Sequence, residues 1–226
     1  MAVKVLTIKE NILGANEERA RQNQKLLAQK GILMINILAS PGAGKTSLIL
    51  ATIKGLKDRL RIGVIEGDIA STIDADKVSQ TGVPVIQINT AGTCHLEAHM
   101  VEKALANLPL HKIDLLFVEN VGNLVCTAEF VLGEDKKVML LSVPEGDDKP
   151  FKYPLMFIET DVVLITKCDV LPHFDFNVQA FTEAMKGLNE KAPILPLSAR
   201  TGDGMKPWFD WLEAEARKKK NATSKS

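Results

Sequence analysis

A mainly parallel β-sheet covered by helices on both faces is the fold this sequence predicts. Two observations predict it. Short β-rich apolar runs alternate with amphipathic stretches along the whole chain, the pattern of repeated strand–helix–strand units. A glycine-rich loop also stands between the first apolar run and a helical stretch, where a phosphate-binding turn belongs.

In chain order, residues 10–30 come first. Ile12, Leu13, Ala20, Leu26 and Leu27 are spaced among charged and amide residues, with Gly31 as a stop, and this spacing predicts a helix. Residues 1–30 are therefore taken as a helical arm that packs on the domain or on a partner. Strands are expected at 33–39, 61–66, 83–88, 113–119, 137–143, 161–166 and 194–197. Helices are expected at 46–58, 95–108, 175–188 and 205–218. The runs are too apolar to be half-exposed, so both sheet faces must be covered. No repeat, linker or boundary beyond the arm interrupts residues 31–220, and residues 221–226 are expected to be a disordered tail.

Composition sets limits. The 226 residues, 46% of them apolar, suffice for one α/β core. Positive and negative side chains balance at 28 each, so no global charge advertises nucleic acid or an anionic membrane. Runs such as 32–39 fall far short of the roughly 20 residues of a membrane span. Residues 1–10 lack signal-peptide anatomy. Three cysteines without framework spacing point to a reducing compartment, and a cytoplasmic protein is expected. The basic stretch Arg217 to Lys220 reads as a solvated, frayed end.

Ala39-Ser40-Pro41-Gly42-Ala43-Gly44-Lys45-Thr46 matches the P-loop pattern, with Ala in place of the first Gly. It makes this a P-loop NTPase. Gly42 and Gly44 let the backbone bend so that amide N–H groups, through Ser47, converge on phosphate at a helix N-terminus. Lys45 neutralises the β- and γ-phosphates, and the Thr46 hydroxyl ligates magnesium. Ligands of such sheets lie beyond the carboxyl ends of strands. Asp68 closes the second run, and Asp74 lies in the polar loop 70–76, placed to move like a switch; both are magnesium candidates. Glu119 ends the fourth run at the Walker B position, and Gly122 follows to offer its N–H to a γ-phosphate.

Thr166-Lys167-Cys168-Asp169 resembles the guanine signature Asn-Lys-x-Asp, with Thr for Asn. Asp169 would accept from guanine N1 and the 2-amino group, with the Lys167 stem over the base. Ser198-Ala199-Arg200 resembles the loop beside the guanine O6. GTP is the nucleotide expected, with ATP as competitor. No obvious Gln or Arg stands ready to orient water, so slow turnover is expected.

Cys94 and His95 open a predicted helix. His99, four residues on, would share their face, and Cys126 lies four residues after Gly122. Two thiolates and one or two imidazoles suit zinc or nickel. The spacing is not that of a zinc finger, and a free Cys is also a small buried hydrophobe, so spacing leaves both readings open. Position adds weight, because Cys126 is tethered to the loop that would sense the γ-phosphate. Two or three ligands per chain leave a metal undersaturated, and a second chain could complete it. Cys168 reads as packing, His111 and His173 as surface residues.

Together these stretches resemble the HypB family of hydrogenase nickel-incorporation GTPases. Carrying the resemblance are Ser40–Thr46, Glu66-Gly67-Asp68 with Asp74-Ala75-Asp76, Gly92-Thr-Cys-His-Leu-Glu-Ala98, Glu119-Asn-Val-Gly-Asn-Leu-Val-Cys126, Pro144–Pro150 and Thr166–Asp169. Related urease-maturation GTPases carry Cys-Pro-His instead. The resemblance implies a SIMIBI-class G domain and a metallochaperone that hydrolyses GTP. It implies a GTP-favoured homodimer with nickel or zinc at its interface on Cys94, His95 and Cys126. A HypA-type nickel chaperone and a hydrogenase large subunit would be its partners. Lys149 and Lys152 match a basic stretch that would reach phosphate across the dimer. Residues 1–31 contain no Cys or His, so the N-terminal nickel motif and storage tract of some members are not expected. A metabolic P-loop kinase would need an arginine-rich lid, whereas Arg200 is the only Arg between Arg61 and Arg217. Four histidines are too few for metal storage.

Overall fold

The computed structural model describes residues 8–69 and 71–223, with side chains from Leu13 onward. The start of the predicted arm and of the predicted signal-free segment, the Ile12 side chain, Ala70 and residues 224–226 of the predicted tail lie outside the described residues.

Seven strands form one sheet: β1 (Leu33–Ala39), β2 (Ile62–Asp68), β3 (Val85–Asn89), β4 (Leu115–Glu119), β5 (Lys136–Ser142), β6 (Val162–Thr166) and β7 (Ile194–Pro196). The spatial order is β3-β2-β4-β1-β5-β6-β7, and every neighbouring pair is parallel. The order reverses beside β1, so the crevice for a ligand opens at the carboxyl end of that strand.

The helices are α1 (Ile8–Gln29), α2 (Lys45–Leu56), α3 (Ile73–Ser79), α4 (Ala98–Asn107), α5 (Cys126–Glu129), α6 (Lys149–Lys152), α7 (Pro154–Ile158), α8 (Val178–Leu188) and α9 (Met205–Thr223). Strand alternation assigns them to layers. Leu33, Ile35 and Ile37 of β1 face α2 and α9, where Ile49, Ile53, Trp208 and Leu212 complete the core. Met34 faces α1 and α4 through Leu27, Val101 and Leu105. Leu38 joins Met156, Phe157 and Phe181 of α7 and α8. No helix of the described residues is long and apolar enough to cross a membrane.

Besides the short helices α5, α6 and α7, which were not expected, and later starts of β3 and α8, the structure departs from the sequence expectations as follows. Residues 73–76 of the expected polar loop 70–76 are helical and open α3, so Asp74 stands in a helical first turn. The helix expected from His95 begins only at Ala98, because Asn16 of α1 caps it there: Asn16 Oδ1 accepts the Ala98 N–H at 2.8 Å. The C-terminal basic stretch is not frayed. Helix α9 runs to Thr223, whose hydroxyl donates to Ala28 O at 2.9 Å, and Lys220 pairs with Asp114 at 2.9 Å. The end of α1 and the residue before β4 anchor that helix, which local composition does not reveal.

Candidate functional site

The phosphate loop takes its shape from two glycines in left-handed backbone, Gly42 at φ 77° and Gly44 at φ 101°, a conformation that costs other L-residues. Lys45 and Thr46 then open α2. A cavity of about 410 Å³ lies against this turn, walled by Pro41, Gly42, Gly44, Lys45, Thr46, Ser47, Asp68, Asp74, Glu119 and Gly122. The four residues expected to be catalytic, Lys45, Asp68, Asp74 and Glu119, thus share one cavity. Their states differ. Lys45 is buried. Asp68 Oδ1 accepts the Ser71 N–H at 2.7 Å. Asp74 is paired with Lys77 at 2.8 Å. Glu119 Oε1 accepts the Thr46 hydroxyl at 2.9 Å.

Glu66 was not singled out by the sequence, yet it lines this cavity and is the β2 register partner of Glu119. Burial, then the charge of Glu119, pushes its carboxyl up to about 10, because two buried carboxylates side by side cannot both ionise without cost. The available signal was an apolar run ending in Glu on each of two strands that become neighbours. Gly122 lies flat on the phosphate loop: a Cβ there would stand 2.7 Å from Pro41 N.

A second cavity of about 220 Å³ shares Gly44 and Ser47 with the first and is lined by Ala43, Thr166, Lys167, Asp169, Ser198, Ala199 and Arg200. The Thr166 hydroxyl donates to Ala43 O at 2.7 Å and Lys167 Nζ to Gly42 O at 2.7 Å. Thr in place of Asn therefore still fastens this loop to the phosphate loop. Asp169 Oδ1 accepts the Ser198 hydroxyl at 2.7 Å, while Arg200 is exposed and stands 3.9 Å from Asp169. Lys149 and Lys152 of α6 line neither cavity; both pair with Asp148.

The third group is the cysteine–histidine cluster. Cys94 donates its thiol to Cys126 at 3.1 Å, and the candidate ligand atoms of Cys94, His95 and Cys126 all lie within 4.8 Å of one another. Contact with Cys94 raises the Cys126 thiol above its ordinary range, and burial favours the neutral imidazole of His95. The His95 ring stacks on Phe130 with centroids 3.9 Å apart. Its Nε2 is buried without a hydrogen-bond partner among the described residues, with Glu97 Oε1 at 3.7 Å. His99 does not join the cluster. It is half-exposed and turns its Nδ1 to Glu97 at 3.3 Å. The shared helical face argued for His95 and His99 fails because His95 precedes α4.

Comparison with known proteins gives the family of the chain. The family model described as CobW/HypB/UreG, nucleotide-binding domain, matches residues 33–196. The chain is similar to the hydrogenase maturation factor HypB of Rhizobium leguminosarum bv. viciae, 46% identical over 216 residues that cover 96% of this chain and 72% of that protein. It is also similar to the probable hydrogenase maturation factor HypB of Methanocaldococcus jannaschii, 37% identical over 218 residues covering 96% and 99% of the two chains. Among solved structures, HypB from Helicobacter pylori in complex with nickel superposes with a TM-score of 0.86 at 38% identity, covering 90% of this chain and 96% of that one. HypB from Archaeoglobus fulgidus gives 0.84 at 34% identity, covering 90% and 99%. Together with the P-loop sheet and the matched nucleotide-binding region, these relatives show that the chain belongs to the HypB family of hydrogenase maturation factors.

Proposed function

We propose that this chain is a GTP-hydrolysing metallochaperone. It takes up nickel(II) or zinc(II) on Cys94, His95 and Cys126 within a GTP-favoured homodimer. It assists nickel insertion into the large subunit of a [NiFe]-hydrogenase, together with a HypA-type nickel chaperone. The observation that carries this reading is the cluster itself, three ligand atoms within 4.8 Å, two of them soft sulfurs suited to either metal. Nickel here is cargo, and three donors from one chain leave room for donors from a second.

On the nucleotide side, the amides of the phosphate loop cradle the phosphates and buried Lys45 neutralises their charge. Thr46 and Asp74 would hold magnesium. The fit is supported by a cavity walled with hard oxygen donors, in which Glu66 Oε1 and Glu119 Oε2 are buried without partners among the described residues. When bound, magnesium neutralises charge on the β- and γ-oxygens. Glu119 accepts the Thr46 hydroxyl and offers its second oxygen to orient the attacking water, which cleaves GTP to GDP and phosphate. Asp169 accepts the guanine N1–H and 2-amino hydrogens, donors that adenine lacks. Lys149 and Lys152 serve phosphate only if the Asp148 pairs open in the dimer.

The test measures nickel(II) and zinc(II) affinity on wild type, Cys94→Ala and Cys126→Ala, with phosphate release and oligomer mass in GTP and GDP. Each variant is expected to lose metal affinity about tenfold or more while hydrolysing GTP. Wild-type metal binding by both variants sinks the reading.

A further inference from the structure

We propose that Asn120 and Asn123 are the positioning residues that couple nucleotide state to the cysteine–histidine cluster; this rests on the metal-and-nucleotide reading above.

The loop 120–123 leaves β4 directly after Glu119. Its backbone hangs on β1, the strand that becomes the phosphate loop: Asn120 N donates to Ile37 O at 3.1 Å and Asn123 N to Ala39 O at 3.0 Å. Gly122 between them lies against Pro41. Asn120 and Gly122 both wall the phosphate cavity.

The two side chains reach the cluster. Asn120 Oδ1 accepts the N–H of Leu96, the residue after His95, at 3.2 Å. Asn123 Oδ1 accepts the N–H groups of Val125 at 2.7 Å and Cys126 at 3.0 Å. Each half of the cluster is therefore held by one asparagine of a single short loop. Asn120 cannot swing independently. It is buried, its Nδ2 donates to Asn36 Oδ1 at 3.2 Å, and Asn36 Nδ2 donates in turn to Glu134 Oε1 at 3.2 Å. A buried amide held through both its oxygen and its nitrogen moves with its network or not at all.

With Asn120 held in that network, a displacement of Gly122 and Asn123 on the phosphate loop carries Cys126 relative to the Cys94-His95 segment. Metal–ligand bond lengths are fixed within narrow limits, so a shift of a fraction of an ångström alters metal affinity. The loop is the element whose position both sites bias, which is what coupling requires.

The experiment measures nickel(II) affinity in a non-hydrolysable GTP analogue and in GDP, and takes the ratio. Wild type is expected to give a ratio within the usual range of about 5–150-fold. Asn123→Ala is expected to bring it within about twofold of one. Asn123→Asp, which keeps the acceptor oxygens, is expected to retain the wild-type ratio. By linkage, the effect of nickel on analogue affinity falls by the same factor in Asn123→Ala. Asn120→Ala is expected to collapse the ratio as well; should it fail to fold by circular dichroism, the two Asn123 variants decide. A full ratio in Asn123→Ala overturns the proposal. A wild-type ratio of one, with nickel binding still lost in Cys126→Ala, overturns it while the metal reading stands. Unaltered nickel binding in Cys126→Ala overturns both.

Discussion

Glu66 and Glu119 stand opposite each other on adjacent parallel strands, in register and both buried. Two carboxylates so placed cannot both ionise without cost. Burial and the Glu119 charge move Glu66 from its ordinary 4.5 to about 10. Because the folded value lies above the unfolded one, the folded chain holds a proton that the unfolded chain releases. This contribution to stability is full below the unfolded value and is lost as pH rises toward the folded one. Glu66→Gln keeps a donor for Glu119 and removes the titration. Melting of the nucleotide-free variant is expected to decline less steeply between about pH 6 and 9. At the upper end its Tm is expected to exceed wild type by about 2–4 °C, the shift that ~1 kcal/mol gives in a domain of this size. Parallel melting curves across that range would show that Glu66 does not hold the proton.

Gly122 has no room for a side chain against Pro41. In Gly122→Ala one of the two backbones must give way, at a cost of about 1–3 kcal/mol. Expressed in nucleotide binding, that is about tenfold or more in GTP analogue affinity, with far-ultraviolet circular dichroism unchanged. Titration with a fluorescent analogue reads it, and wild-type affinity would mean that the loop accommodates the methyl without moving the phosphate loop.

Asp169 is held by Ser198 at 2.7 Å, aimed into the second cavity. Asp169→Ala is expected to weaken GTP binding about 10–100-fold, the worth of hydrogen bonds to a charged acceptor, and to leave ATP binding nearly unchanged. Competition between the two nucleotides measures the ratio. Equal losses for both would move the base-reading role elsewhere.

Helix α1 is tied to the cluster's surroundings by amides. Asn23 Nδ2 donates to Ala98 O at 2.9 Å and Leu132 O at 3.0 Å, and Asn16 Nδ2 donates to Val131 O at 2.7 Å. Asn23→Ala leaves two buried carbonyls short of a donor and is expected to cost about 1–3 kcal/mol. Chemical denaturation should show the midpoint fall at constant slope. No change would mean that α1 is held by its apolar contacts alone.

Much of the molecule was legible in the sequence. The phosphate loop, the seven strands and the Glu119 position follow from local rules: glycines where the backbone turns left-handed, apolar runs at strand length, polar residues at strand ends. The Thr166 and Asp169 loop was legible as a motif. Cys126 was drawn toward Cys94 by ligand chemistry, by its tether to the Gly122 loop and by family resemblance, not by spacing, since the two thiols that stand 3.1 Å apart lie 32 positions apart in the chain. What only the tertiary structure decided is of one physical kind. Strand register set Glu66 against Glu119. Asn16, reaching 82 residues along the chain, capped α4 at Ala98 and left His95 outside the helix and His99 outside the cluster. Contact with α1 turned an apparently frayed tail into the last turn of α9. Sequence patterns report what a residue does with its neighbours in the chain, whereas a buried carboxylate or amide takes its partner from whichever segment the packed sheet brings beside it.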